Sequence, residues 1–197
     1  MEMRNEIVMA KKENGMVAGE AIQTPNESPK RKEVTIQIGN RSFVKKPLPA
    51  NTYFGYQRRL TTHNQEIAIL WLMYEAYGIG EEEFQGLRFR EKGRLQAALT
   101  TIEAEVTCHD DLPFSESSDF SVLGHRYTEK PNSGDYYTKF VQQSNQGAIA
   151  YKEAIQSLFL IDGRVIEDKD FSEPEGIGYG GAVALMNWIN FMFSQTL

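Results

Sequence analysis

The sequence predicts a mainly α fold with a small N-terminal β-hairpin, an α+β chain in which one helical domain (33–197) follows a flexible N-terminal arm (1–32). Three observations lead there. All twenty-two aromatic residues lie at or after Phe43, so the first 32 residues hold no large apolar anchor. Residues 34–46 alternate apolar and polar side chains about a Gly39-Asn40 pair. Beyond position 60, apolar residues recur in runs and stripes of helical period.

The arm offers only scattered Met, Val, Ala and Ile, broken by Gly15, Gly19, Pro25 and Pro29. Such a segment does not bury enough apolar surface to offset the entropy of ordering itself. It is expected to move freely and, as one alternative, to order on a partner. In the hairpin, Val34, Ile36 and Ile38 alternate with Thr35 and Gln37, and Gly39-Asn40 tolerates the positive φ of a two-residue turn. Pairing across that turn places Phe43 on the aliphatic face, and Pro47 and Pro49 end the strand.

Thr62 and Gln65 have capping-box spacing ahead of Ile67–Tyr74, a run without a polar face. It predicts a central, largely surrounded helix with Trp71 in the core, ending near Gly78. Leu95, Ala98, Leu99, Ile102 and Val106 then form one stripe of an amphipathic helix. From Cys108 to about Asn132 the chain is polar, and Pro113 and Pro131 argue for a long loop. A helical region follows from about Asp135 to Leu160. Asp162-Gly163 is read either as a small hairpin turn or as a helix end. An apolar helix from Ala182 to Gln195 closes the chain, with Leu185, Trp188, Ile189, Met192 and Phe193 on one stripe and Phe191 off it.

Composition narrows the function classes. The net charge is −6; residues 1–32 carry six basic and five acidic side chains, so the rest carry fifteen and twenty-two. An acidic domain repels phosphate, which argues against nucleic acid as a partner. The longest apolar stretch is too short to cross a bilayer, the N-terminal charges do not fit a secretory signal, and the single Cys108 suits a reducing compartment. A cytoplasmic protein that binds neither membrane nor nucleic acid is expected.

No pattern announces catalysis, a metal or a cofactor. The stretch Gly176-Ile-Gly-Tyr-Gly-Gly181 has the spacing of a dinucleotide loop, but Ser172-Glu-Pro-Glu175 precedes it where a buried strand is required. It is read as a hinge that lets the last helix dock or swing. Cys108-His109-Asp110-Asp111 is dense in potential ligands, yet neighbours on an extended chain point apart. A small metal-dependent hydrolase using His109, Asp111 and His125 is therefore kept only as an alternative. Arg88, Arg90, Lys92 and Arg94 concentrate positive charge, read as a solvated helix start or an acidic-partner contact. The candidate partner-binding residues are Trp188, Phe191 and Met192 on the last helix, with Arg88 and Arg90.

Val-Thr-Ile-Gln-Ile-Gly-Asn-Arg-Ser-Phe-Val-Lys-Lys-Pro-Leu at 34–48, followed by a helix-rich acidic chain, resembles the tail assembly chaperones and tail accessory proteins of tailed bacteriophages. The resemblance covers those fifteen residues and the layout of leader, hairpin and helical domain. It implies a non-enzymatic protein without cofactor that binds a helical or apolar segment of another phage protein, or self-associates, in the host cytoplasm. An alternative is a minor structural component of the virion whose arm orders on neighbouring subunits.

Overall fold

A computed structural model describes residues 33–100, 106–136, 139 and 150–194. The expectations for the arm at 1–32, for Ile102, and for most of the helical region after 135 lie outside the described residues.

The hairpin forms as its alternation requires. Strand β1 (Val34–Ile38) pairs with β2 (Arg41–Lys45), with Ile36 opposite Phe43, and Gly39 turns the chain at φ +60°. Ile38 and Phe43 are buried, whereas Val34 is left exposed. Helix α1 (Ala50–Thr62) follows Pro49, then α2 (Gln65–Tyr77), α3 (Glu81–Gln85) and α4 (Phe89–Thr100). Thr62 belongs to the end of α1, and α2 is capped by Asn64, whose Oδ1 accepts from the Ile67 amide at 2.9 Å. Gly78 closes α2 at φ +71°.

The expectation that α2 is surrounded is corrected. It buries Ala68, Leu72, Met73 and Ala76, but Ile67 is exposed and Tyr74 is 61% exposed. Trp71 is half-buried, and the Arg59 guanidinium lies over its ring at 3.8 Å. The side chains that reach the core from α2 lie mainly on one face, although the run is apolar all round.

The larger departure is a second sheet. The stretch read as a long loop contains β3 (Thr107–Cys108), β4 (Asp119–Val122) and β5 (His125–Glu129). After α5 (Ala150–Leu158), strands β6 (Phe159–Ile161) and β7 (Arg164–Val165) complete a five-stranded antiparallel meander in chain order. Pro113 lies in the connection before β4 and Pro131 just after β5, so neither interrupts a ladder. Phe120, Val122, Tyr127, Phe159 and Ile161 turn one face of the sheet inward. Asp162-Gly163 is the hairpin turn, both residues at positive φ.

Helices α6 (Asp168–Ser172) and α7 (Gly178–Ser194) follow. Leu185, Trp188 and Ile189 bury the predicted stripe against the sheet, and the Trp188 indole donates to the Ser117 carbonyl at 2.9 Å. The corner before α7 is tight. Buried Asp170 takes both guanidinium nitrogens of Arg164 at 2.6 and 2.8 Å and accepts from the Glu167 amide at 2.8 Å. Burial pushes this carboxyl up, but Arg164 and the amide outweigh it and hold it below the ordinary value. A Cβ at Gly176 would stand 2.2 Å from the Asp170 carbonyl, and the Ile177 amide donates to that oxygen at 2.8 Å. The glycine-rich stretch is thus a close-packed corner, which corrects its reading as a hinge.

The buried residues form two clusters. One joins the five-stranded sheet with α5, α6 and α7; the other joins the hairpin with α2, α3 and α4. Helix α1 touches both. Tyr53 and Phe54 face the first and Tyr56 the second, while Asn51 donates to Ser172 at 3.1 Å.

Candidate partner-binding groove

The groove lies on the hairpin side of the molecule, between α2 and α4, with α3 closing one end. Asn64, Gln65, Glu66 and Ile69 form one wall; Phe89, Lys92, Gly93 and Gln96 form the other; Phe84 lies between them. Its volume is about 580 Å³.

The local sequence explains this opening. Helix α4 sends Leu95 and Leu99 into the core, and the Tyr77 hydroxyl ties it to α2 by donating to the Leu95 carbonyl at 3.0 Å. Phe89, Lys92, Gly93 and Gln96 share a different face, at i, i+3, i+4 and i+7. Phe89 stands at its start and is 91% exposed, more than any other large hydrophobic residue among those described. The Glu91 carboxylate fixes this helix start by accepting from the Arg88 amide at 2.7 Å.

Polar links hold the walls. Lys92 donates to Gln85 at 3.2 Å, and Gln85 in turn donates to Glu66 at 3.1 Å. The Lys92 ammonium also lies 4.8 Å from the centre of the Phe84 ring. Gly93 leaves space instead of filling it: a Cβ there would meet nothing within 4 Å. A mid-helix glycine costs about 1 kcal/mol relative to alanine, and no close contact among the described residues requires it.

Of the residues singled out in the sequence, Arg88 and Arg90 flank Phe89 and are exposed. No ion pair to the side chain of Arg88, Arg90 or Arg94 occurs among the described residues. The last helix does not join them. Trp188 is 3% exposed and packs 4.9 Å from Phe159, so its expected role in partner contact is corrected: it is core. Phe191 is half-buried and Met192 exposed. Phe89 and Gly93 escaped the sequence reading, although Phe89 could be seen to lie off the Leu95–Leu99 stripe.

The alternative hydrolase residues are not gathered into one site. His109 faces outward from the sheet and meets the Ser121 hydroxyl at 2.7 Å. Asp111 is an exposed loop residue at φ +56°. His125 is 2% exposed on the opposite face; its Nδ1 meets Asp162 and its Nε2 donates to the Glu175 carbonyl, both at 2.7 Å. Its two bonds fasten β5 to the β6–β7 turn and to the segment leading into α7. Among the described residues no three His, Cys, Asp or Glu side chains are placed to hold a metal ion, and no helix is long and apolar enough to cross a membrane. Comparison of the chain with protein-family models, curated proteins and solved structures found no match, so the groove is read on its own chemistry.

Proposed function

We propose that this chain is a non-enzymatic assembly protein of phage type, a tail assembly chaperone that holds a segment of another tail protein. The observation that carries the reading is Phe89, an aromatic side chain left almost wholly in water at the mouth of an apolar-floored groove. Large apolar side chains at such positions mark association surfaces. The hairpin at 34–48 and the acidic helical domain supply the resemblance to phage tail proteins.

Photocrosslinking tests it. A photoreactive phenylalanine is placed at position 89 of the full chain, and at Val165 as an exposed apolar control on the far sheet edge. Both are made in cells that also produce the other phage tail proteins. One tail protein crosslinked from position 89 and not from 165 is the expected result. Equal labelling from both sites, or labelling of no tail protein from 89, overturns the proposal.

A further inference from the structure

We infer that the groove receives an acidic amphipathic helix, laid along α4 with its backbone close to Gly93 and its carboxylates on Arg88, Arg90 and Arg94. This rests on the reading of the groove as a partner site and specifies the partner's chemistry.

Three observations meet there. The face from Phe89 to Gln96 spans about two helical turns, roughly 10 Å at ~1.5 Å per residue. That matches the i to i+7 span of an apolar stripe on a second helix, and Ile69, Phe84 and Phe89 supply the apolar contacts. Gly93 sits midway along the same face with open space beyond it. Small residues at helix contacts let two backbones approach closely, and this one meets no neighbour among the described residues that requires it.

Charge selects the occupant. Arg88, Arg90 and Arg94 stand on an otherwise acidic domain, unpaired among the described side chains. Of the acidic residues nearby, Glu66 on the facing wall accepts from Gln85 and Glu91 from the Arg88 amide, while Glu81 and Glu82 lie on α3, so the basic contact is confined to the α4 side of the groove. Glu83 belongs to the opposite side of α3, in a hollow shared with the hairpin residues Arg41 and Phe43. The end of the chain's own arm, Lys30, Arg31 and Lys32, is repelled by these arginines. Carboxylates spaced along a helix complement this rim, and an apolar stripe between them fits the floor.

Two synthetic peptides of about 15 residues, long enough for a marginal helix, test the assignment. Both carry Leu at i, i+3, i+4 and i+7, one flanked by Glu and the other by Lys. Fluorescence anisotropy against the full chain should show the Glu peptide binding more tightly, by on the order of tenfold, with affinity falling as salt rises. Phe89→Ser and Gly93→Leu should each weaken it about tenfold or more while melting is not lowered. The double variant Arg88→Gln/Arg90→Gln should remove most of the preference for Glu over Lys.

Equal binding of the two peptides, with Phe89 still required, overturns the acidic assignment and leaves the partner groove standing. No binding of either peptide, or binding indifferent to Phe89→Ser, overturns both. Phe89-dependent binding to phosphatidylserine vesicles, with neither peptide bound, makes the rim a lipid contact and also overturns the assignment.

Discussion

The two cores of this molecule treat their apolar side chains differently. Around the five-stranded sheet, Phe120, Tyr127, Phe159, Phe171 and Ile189 are sealed, and even the indole of Trp188 finds a carbonyl. Around α2 and α4 the same chain leaves Phe89, Tyr74 and Ile67 in water and half-covers Trp71. A sheet backed by helices encloses its inner face. The helices around the hairpin leave a groove between α2 and α4. The lesson is that surplus apolar surface is informative when a neighbouring core in the same chain shows how completely this sequence can bury such residues.

Five substitutions would sharpen or break that contrast. Phe159→Ala, which removes a ring packed on both Phe120 and Trp188, should destabilise the chain by about 3–5 kcal/mol in chemical denaturation. A loss below about 1 kcal/mol would mean that the sheet core is not sealed. Asp170→Asn removes a buried carboxylate from Arg164 and should cost about 2–3 kcal/mol near neutral pH. Its sign against pH is fixed. The folded carboxyl titrates below the ordinary value, so its contribution is present above the unfolded pKa of about 3.9 and is lost as pH falls through the folded one. Acid unfolding of Asp170→Asn should accordingly be shallower than that of the parent; curves of equal slope would exclude this carboxylate as a contributor.

On the open side the effects shrink. Trp71→Ala loses a half-buried ring and its contact with Arg59, about 2 kcal/mol, and a loss as large as that of Phe159→Ala would erase the contrast. Gly93→Ala should stabilise the free chain by about 1 kcal/mol, seen as a raised denaturation midpoint; a lowered one would reveal an internal need for that glycine. Phe89→Ser should leave stability within about 0.5 kcal/mol. If it unfolds the chain, Phe89 is core and the groove reading fails.

The parts legible in the sequence were those with local, periodic signals. Gly39-Asn40 between alternating strands marked the hairpin, and Leu95, Ala98 and Leu99 marked the inner face of α4. The second sheet was hidden because its strands are short and polar on one face: Asp119-Phe-Ser-Val122 and His125-Arg-Tyr-Thr-Glu129 read as loop until paired. Their turn is Leu123-Gly124, at φ +53° and +81°; Gly124 suits it, but a leucine at the first position weakens the signal. Thr62 matches the capping-box spacing and so masks Asn64 as the cap; only the geometry shows that Thr62 ends the preceding helix. At the groove, charge pointed to Arg88 and Arg90. Phe89 between them was missed because one aromatic and one glycine on a helix face do not make a stripe. Trp188 reads as a partner contact as readily as a core residue, because an apolar helix looks the same from sequence whether a sheet or another molecule covers it.

The distribution of the two tryptophans has a spectroscopic consequence. The chain has only Trp71 and Trp188, one against each core. Trp188 sits beside Phe159 in a dry interior with its N–H engaged by Ser117, seventy-one residues earlier, whereas Trp71 lies half in water beneath a guanidinium. Their emission therefore differs in colour: Trp188 should fluoresce to the blue and Trp71 to the red. On denaturation both should end at the red of exposed indole, so Trp188 should shift by the larger amount.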